Sequence, residues 1–174
     1  MGKFDTFIQN KGLRYLRLRA ILKILEKLPG GTILDIGCMD DYFIKRLSPK
    51  FDYFGIDDNP LCKHPKISKI SVEKLPKNKK YDIVLCTEVL EHLNDPVAAM
   101  RALKRLSKRF ILISVPNEPY FALFRLFFPV EGHLWTIYPW TLKRHFGKPI
   151  HTKLTCFNRT YIALWDLRKK NQKP

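Results

Sequence analysis

Apolar, strand-like segments alternate with helical segments along most of the chain, and this alternation constrains the fold more than any other feature. "TILDIG" is typical of a short buried strand, "DDYFIKRLS" of a helix and "DYFGIDD" of a second strand. Further on, "KISKISV" predicts a short third strand, "YDIVLCTE" a fourth, "DPVAAMRALKRLSKR" a helix with Pro96 in its first turn, and "FILISVP" a fifth strand. Such alternation predicts an α/β fold with a mostly parallel sheet and helices on both faces.

Two further elements flank this alternating region. An amphipathic helix is predicted from Arg14 to Leu28, with leucine and isoleucine at helical spacing. Its basic residues are expected on the other, solvent-facing side: Arg17, Arg19, Lys23 and Lys27. Near the other end, "HTKLTCF" and "TYIALWDL" flank Asn158-Arg159 and predict an antiparallel hairpin. Because no linker or repeat divides the sequence, residues 1–174 are interpreted as a single domain with an N-terminal helical segment over residues 1–29.

The chain is strongly basic, with 32 lysines and arginines against 16 acids and a net charge of +16. A surface of this charge attracts polyanions, so RNA or another polyanion is the partner class that the composition favours. The alternative for any single cluster of lysines is an ordinary solvated surface.

The four cysteines form no C-x-x-C pair and no zinc spacing, which indicates reduced thiols in a cytoplasmic protein. No apolar run approaches the roughly 18 to 20 residues that span a bilayer, so no transmembrane segment is expected.

Acidic groups and a glycine stand where two strands end. The first strand ends at Asp35-Ile36-Gly37, and the second, twenty residues beyond Gly37, ends in "GIDD". Ligands of parallel α/β sheets bind beyond the carboxyl ends of the strands, where the strand order reverses. A carboxylate there can accept hydrogen bonds from both hydroxyls of a ribose, which makes Asp57 or Asp58 a candidate ribose ligand.

The ordered series "LDIGC", "GIDD", "LP…YDIVLCTEVLEHLNDP", "ILISVPN" and "GHLWT" resembles class I S-adenosylmethionine-dependent methyltransferases over nearly the whole chain. The resemblance implies a Rossmann-like, mostly parallel seven-stranded sheet that ends in an antiparallel hairpin. It also implies S-adenosylmethionine across the ends of strands one, two and four. By position, Gly37 and Cys38 would face the methionine part, Asp57 the ribose, and Glu88 and Val89 the sulfonium. The full set of expected cofactor-binding residues is Asp35, Gly37, Cys38, Met39, Asp57, Asp58, Ser71, Val72, Glu88 and Val89.

The sequence departs from this family at two loop positions. Relatives usually carry glycine where this chain has Met39 and Asp41, and glycine permits positive φ and close approach of a ligand. Met39 could therefore crowd the cofactor or bend the loop. Ser71 stands where many relatives place an acid for the adenine amino group, while Asp58 and Val72 would flank the adenine.

The segment "EVLEHL" places Glu88, Glu91 and His92 at i, i+3 and i+4, so a helical turn beginning there would present all three on one face. With His133 they resemble the metal site of small-RNA 3′-terminal 2′-O-methyltransferases, and the series also resembles ubiquinone-pathway O-methyltransferases. A divalent metal on these four residues is thus possible but not favoured; the alternative is that they shape the pocket. His92 and His133 are the candidate catalytic residues.

The resemblance places a substrate lid after strand five, over residues 117–145, where "YFALFRLFFPV" supplies four phenylalanines. These rings could line a substrate pocket, stack on bases, touch a membrane interface or pack as a core helix. The sequence therefore predicts a methyltransferase that acts on RNA, another polyanion or a small hydroxylated molecule. The alternative is a non-catalytic basic module that binds RNA or membranes on a methyltransferase scaffold.

Overall fold

A computed structural model describes residues 3–71, 74, 79–117 and 134–169 of the chain. Helices and strands follow one another in the order α1 (Lys3–Leu25), β1 (Gly31–Ile36), β2 (Phe51–Asp57), β3 (Ile67–Lys69), β4 (Tyr81–Thr87), a 3₁₀ helix (Leu90–His92), α2 (Pro96–Leu106), β5 (Ser107–Pro116), α3 (Pro139–Phe146), β6 (His151–Thr155) and β7 (Thr160–Asp166). None of the helices in these described ranges is long and apolar enough to cross a membrane.

The strands form one seven-stranded sheet in the order β3-β2-β1-β4-β5-β7-β6. β1 to β5 run parallel to one another, whereas β7 pairs antiparallel with both β5 and β6. The chain adds strands to one side of β1 and then returns to add β4 on the other side. The strand order therefore reverses between β1 and β4, and the predicted mostly parallel sheet with a C-terminal hairpin is confirmed.

The central strands are buried on both faces, which explains their continuous apolar sequences. Ile33 and Ile83 face the layer that contains α1, together with Leu18, Ile21 and Leu25 of that helix. Leu34, Ile36 and Val84 face the opposite layer, where α2 and α3 contribute Met100, Leu103, Leu142 and Phe146. The sheet thus lies between two helical layers, and its carboxyl edge is left open for a site.

The helix after β4 begins as its sequence indicates but ends early. The Asp95 side chain accepts a hydrogen bond from the Ala98 N–H at 2.8 Å, which caps the first turn around Pro96. The predicted helix continued to Arg109, which is wrong, because Ser107 already pairs with Tyr81 in the β4–β5 ladder. Arg109 instead donates to Asp166 of β7 at 3.2 Å, so pairing between strands overrides the local helix preference.

Two other predictions of helices are corrected by the structure. α1 begins at Lys3 rather than Arg14 and ends at Leu25 rather than Leu28. The segment "DDYFIKRLS" forms a series of turns and not a helix. Its backbone mixes bonds of three and four residues, as in Arg46 N–H to Phe43 O and Lys45 N–H to Asp41 O. Tyr42 and Phe43 are both buried in the core, so the turns still anchor the segment against the sheet.

Candidate functional site

A cavity of about 460 Å³ opens at the carboxyl ends of β1, β2 and β4, beside the point where the strand order reverses. This size is within the range of small-molecule sites. Nine of the ten expected cofactor residues line the cavity: Asp35, Gly37, Cys38, Met39, Asp57, Asp58, Ser71, Glu88 and Val89. The exposed residue His92 lines it as well. The tenth, Val72, lies outside the described residues. The sequence therefore identified residues that meet in space, while their individual roles stay predictions.

Gly37 begins the loop that follows β1, and its position admits no larger residue without a shift. Its φ is +72°, and a Cβ there would lie 2.2 Å from Cγ2 of Val89. The Gly37 N–H also donates to the Ile56 carbonyl of β2 at 2.8 Å. The loop therefore lies close to the ends of both β2 and β4, and it forms one wall of the cavity.

Met39 has a left-handed backbone in the loop that follows β1. Its φ is +62°, in the left-handed region that a methionine rarely adopts, and its side chain is 41% exposed. Its N–H donates to Oδ2 of Asp57 at 2.9 Å, and the Asn59 N–H donates to Oδ1 at 2.8 Å. A carboxylate has about four acceptor positions, so Asp57 can still accept hydrogen bonds from a diol.

Asp35 lies at the floor of the cavity and is 1% exposed. Tyr53 donates its hydroxyl to Oδ2 of Asp35 at 2.7 Å, while Oδ1 has no hydrogen-bond partner within the described ranges. Burial raises the pKa of Asp35 to about 7, and the hydrogen bond from Tyr53 opposes that rise. A ligand cation that reaches Oδ1 would favour the ionised carboxylate.

Two arginines of α1 also line the cavity, and none of the sequence motifs predicted a role for them there. Arg14 pairs with Asp40 at 3.0 Å, and Arg17 lies 3.5 Å from Oε2 of Glu88. The expectation that Arg17 faces solvent is wrong: its side chain is 17% exposed, and its Nε is buried without a hydrogen-bond partner in the described part of the chain. A usable signal existed, since Arg14 and Arg17 each precede a core residue, Leu18 and Ile21, by four positions and so share its side of the helix.

The segment "EVLEHL" does not form the expected turn. Glu88 has a φ of +54° and precedes the 3₁₀ helix, so it does not share a helical face with Glu91 and His92. Glu88 accepts a hydrogen bond from the Ser114 hydroxyl at 3.2 Å and lines the cavity. Glu91 is fully buried and does not line the cavity, and its carbonyl accepts hydrogen bonds from the Leu134 and Trp135 N–H groups at 2.9 and 3.1 Å.

No group of three metal-ligating side chains occurs among the residues that the structure describes. The metal prediction also involved His133, which lies outside those residues, as does the phenylalanine-rich part of the expected lid. The described geometry therefore supports a site for an organic ligand and leaves the metal hypothesis untested.

Curated relatives match somewhat more than half of the chain. A tRNA U34 carboxymethyltransferase from Campylobacter hominis is 29% identical over 115 residues, which is 58% of this chain and 40% of the relative. A ubiquinone biosynthesis O-methyltransferase from Acinetobacter baylyi is 28% identical over 109 residues, which is 53% of this chain and 46% of the relative. The chain thus spans less than half the length of these relatives.

Solved structures share the fold. A Haloferax volcanii protein in complex with a methyltransferase activator superposes with a TM-score of 0.71 at 14% identity, covering 95% of this chain and 96% of that one. Magnesium protoporphyrin IX methyltransferase from Synechocystis PCC 6803, solved with bound S-adenosylhomocysteine, gives a TM-score of 0.64 at 19% identity, with 86% and 80% coverage. A model of the methyltransferase domain matches residues 9–165, nearly the whole of the fold described above. The resemblance seen in the motifs is thereby confirmed, and the chain belongs to the methyltransferase domain family.

Proposed function

We propose that this domain transfers a methyl group from S-adenosylmethionine to RNA. The observation that carries the proposal is the cavity at the carboxyl ends of β1, β2 and β4. Asp57, Asp35 and Arg17 all line it. These three groups suit the three polar parts of the cofactor: a ribose diol, an ammonium and a carboxylate.

The residues present fit the cofactor in their donor and acceptor chemistry. Asp57 has acceptor positions left for two hydroxyls. Asp35 has one oxygen without a hydrogen-bond partner among the described residues, in a place where an ammonium group would offset its burial. Arg17 is a charged donor that a carboxylate can bind in place of, or beside, Glu88. Asp58 and Ser71 line the same cavity and are left for the adenine end.

When bound, S-adenosylmethionine supplies a methyl group on a positively charged sulfur. The protein has to exclude water, align the acceptor with that methyl group and receive the proton that the acceptor loses. His92 is exposed and lines the cavity, which supports its imidazole as the group that takes that proton. Glu88, which follows β4, also lines the cavity, and its carboxylate would favour a positively charged sulfur bound there.

An RNA acceptor is favoured by two independent observations. The net charge of +16 suits a polyanion, and the Campylobacter relative is named for a reaction on tRNA. The second candidate is a small hydroxylated acceptor, which the ubiquinone biosynthesis relative supports at 28% identity. Labelled methyl incorporation into unfractionated tRNA, measured beside a panel of small phenols, separates the two. Label in the phenols alone would contradict the RNA acceptor.

Calorimetry with two ligands tests the cofactor site. S-adenosylhomocysteine carries the amino-acid group, and 5′-methylthioadenosine lacks it. Arg17→Gln should weaken S-adenosylhomocysteine by about tenfold to a hundredfold, the effect of one charge-assisted hydrogen bond, and leave methylthioadenosine unchanged. Asp57→Asn should weaken both ligands. Arg19→Gln is the matched control, since Arg19 is exposed on the same helix and outside the cavity lining.

Absence of any heat from the wild-type chain at millimolar S-adenosylhomocysteine would reject the enzyme and favour the non-catalytic basic module. Equal losses for both ligands in Arg17→Gln would instead retain the enzyme and remove Arg17 from its assigned role.

A further inference from the structure

The two helices on one face of the sheet form a basic surface that the cofactor cavity does not use. α2 and α3 pack over the same core cluster, and neither "PVAAMRALKRL" nor "PWTLKRHF" contains an acid. Five of their cations are exposed and form no ion pair within the described part of the chain: Arg101, Lys104, Arg105, Lys143 and Arg144. Positive charge on this face is therefore not neutralised by the helices that carry it.

A stacked pair of rings stands at the beginning of α3, beside these cations. Tyr138 and Trp140 lie parallel, with ring centroids 4.1 Å apart and an interplanar angle of 8°. Trp140 is nevertheless 59% exposed, so the indole face away from Tyr138 is open to solvent. Leu134 and Trp135, which precede this pair, are 60% and 47% exposed. An exposed, already stacked indole offers a flat surface to another aromatic ring.

This surface continues to the rim of the cavity. The Leu134 and Trp135 N–H groups both bond to the carbonyl of Glu91, and the next residue, His92, lines the cavity. A chain lying along α3 and over Trp140 would therefore arrive beside His92.

We infer that the surface formed by Trp140, Lys143, Arg144 and the exposed cations of α2 binds a single-stranded segment of RNA and directs it to the cavity. Bases stack on Trp140, while the phosphates lie along the cations. This combination of stacking and a basic track is the usual way in which proteins hold single strands with little sequence preference. The inference rests on the proposed function, because it names the surface through which the RNA acceptor reaches the site.

The test measures binding of a fluorescent, unstructured single-stranded RNA over a series of salt concentrations. Trp140→Ala should lower the affinity about tenfold, as loss of one stacked base does, whereas Trp140→Phe should stay near wild type. The double change Lys143→Ala, Arg144→Ala should reduce the magnitude of the slope of log affinity against log salt by about 1.4. The control Lys23→Ala, Lys27→Ala removes the same charge from α1 and the turn that follows it, on the opposite face of the sheet, and should change neither quantity.

Three results would overturn the inference. One is a control pair that weakens RNA as much as the α3 pair, and another is a Trp140→Ala protein with unchanged affinity. The third is tighter binding to anionic lipid vesicles than to RNA with the same dependence on Trp140, which would assign the surface to membranes.

S-adenosylhomocysteine calorimetry on the same variants separates this inference from the proposed function. Normal cofactor binding with RNA binding independent of Trp140 rejects only the surface. If the wild-type chain gives no heat with S-adenosylhomocysteine but Trp140→Ala still weakens RNA binding, only the enzyme is rejected.

Discussion

The two loop positions where the family resemblance predicts glycine, Met39 and Asp41, should respond to glycine in opposite directions, because only one of them has a left-handed backbone. Met39 has a φ of +62°, whereas Asp41 is not among the residues with positive φ. Comparing glycine with alanine at each position isolates the backbone effect, since both substitutions delete the original side chain. The Met39 N–H remains available to Asp57 in either variant.

The magnitude at position 39 follows from two opposing terms. A left-handed conformation costs a residue with a Cβ about 1–2 kcal/mol, which glycine recovers. Glycine gives back about 0.5–1 kcal/mol through its greater freedom in the unfolded chain. Met39→Gly should therefore be more stable than Met39→Ala by about 0.8 kcal/mol, the middle of the range that these two terms allow. At position 41 no left-handed strain is relieved, so Asp41→Gly should be the less stable member of its pair.

Urea denaturation of the four variants measures these differences as shifts in the midpoint at a common m-value. The reasoning is refuted if Met39→Gly is no more stable than Met39→Ala, because Met39 would then bear no left-handed strain. A gain in stability for Asp41→Gly over Asp41→Ala would equally contradict the described backbone of the loop.

Two further predictions concern the floor and the wall of the cavity. Gly37→Ala should destabilise the fold by more than about 1–2 kcal/mol, the cost of its left-handed φ alone, because the new Cβ also meets Cγ2 of Val89. Adding Val89→Ala should recover part of that loss in a melt, and no recovery would contradict the clash. The fold should also become less stable as pH rises, because of Asp35. Its pKa is raised from 3.8 to about 7, so over that interval the folded protein retains a proton that the unfolded chain releases. Its contribution to stability is complete below about pH 4 and is lost by about pH 7, so Asp35→Asn should flatten that decline in urea midpoints measured across the interval.

The sheet was predictable because the burial of its central strands on both faces leaves a recognisable apolar sequence. The segments around Ile33, Ile83 and Ile111 are apolar on both faces, and only a strand between two helical layers requires that pattern. The site was predictable to a similar extent, since Asp35, Gly37 and Asp57 end strands whose order in the sheet brings them together.

What the sequence did not predict depends on contacts between distant segments. Ser107 leaves the helix because it pairs with Tyr81, and "DDYFIKRLS" forms turns with mixed hydrogen bonds instead of a regular helix. Glu91 does not line the cavity, and its carbonyl accepts hydrogen bonds from the Leu134 and Trp135 N–H groups, more than forty positions along the chain. Local spacing contains no information about these partners, so the helical turn predicted from it was wrong. α3 was missed for the same reason: Leu142 and Phe146 acquire their meaning only from the core that they cover.

The positions of backbone strain favour the enzyme over a non-catalytic binding module. Apart from three consecutive residues in the β6–β7 turn, the described non-glycine residues with positive φ are Met39 and Glu88, and both line the cavity. Strain of this kind costs about 1–3 kcal/mol per residue and persists where the surrounding structure imposes it. At Met39 the imposing contact is Asp57, the group assigned to the ribose; at Glu88 the contacts are Ser114 and Arg17, the latter assigned to the carboxylate. A module that bound RNA only through α2 and α3 would gain nothing from either strained residue. The strain is therefore explained by the geometry of the cavity better than by binding on α2 and α3.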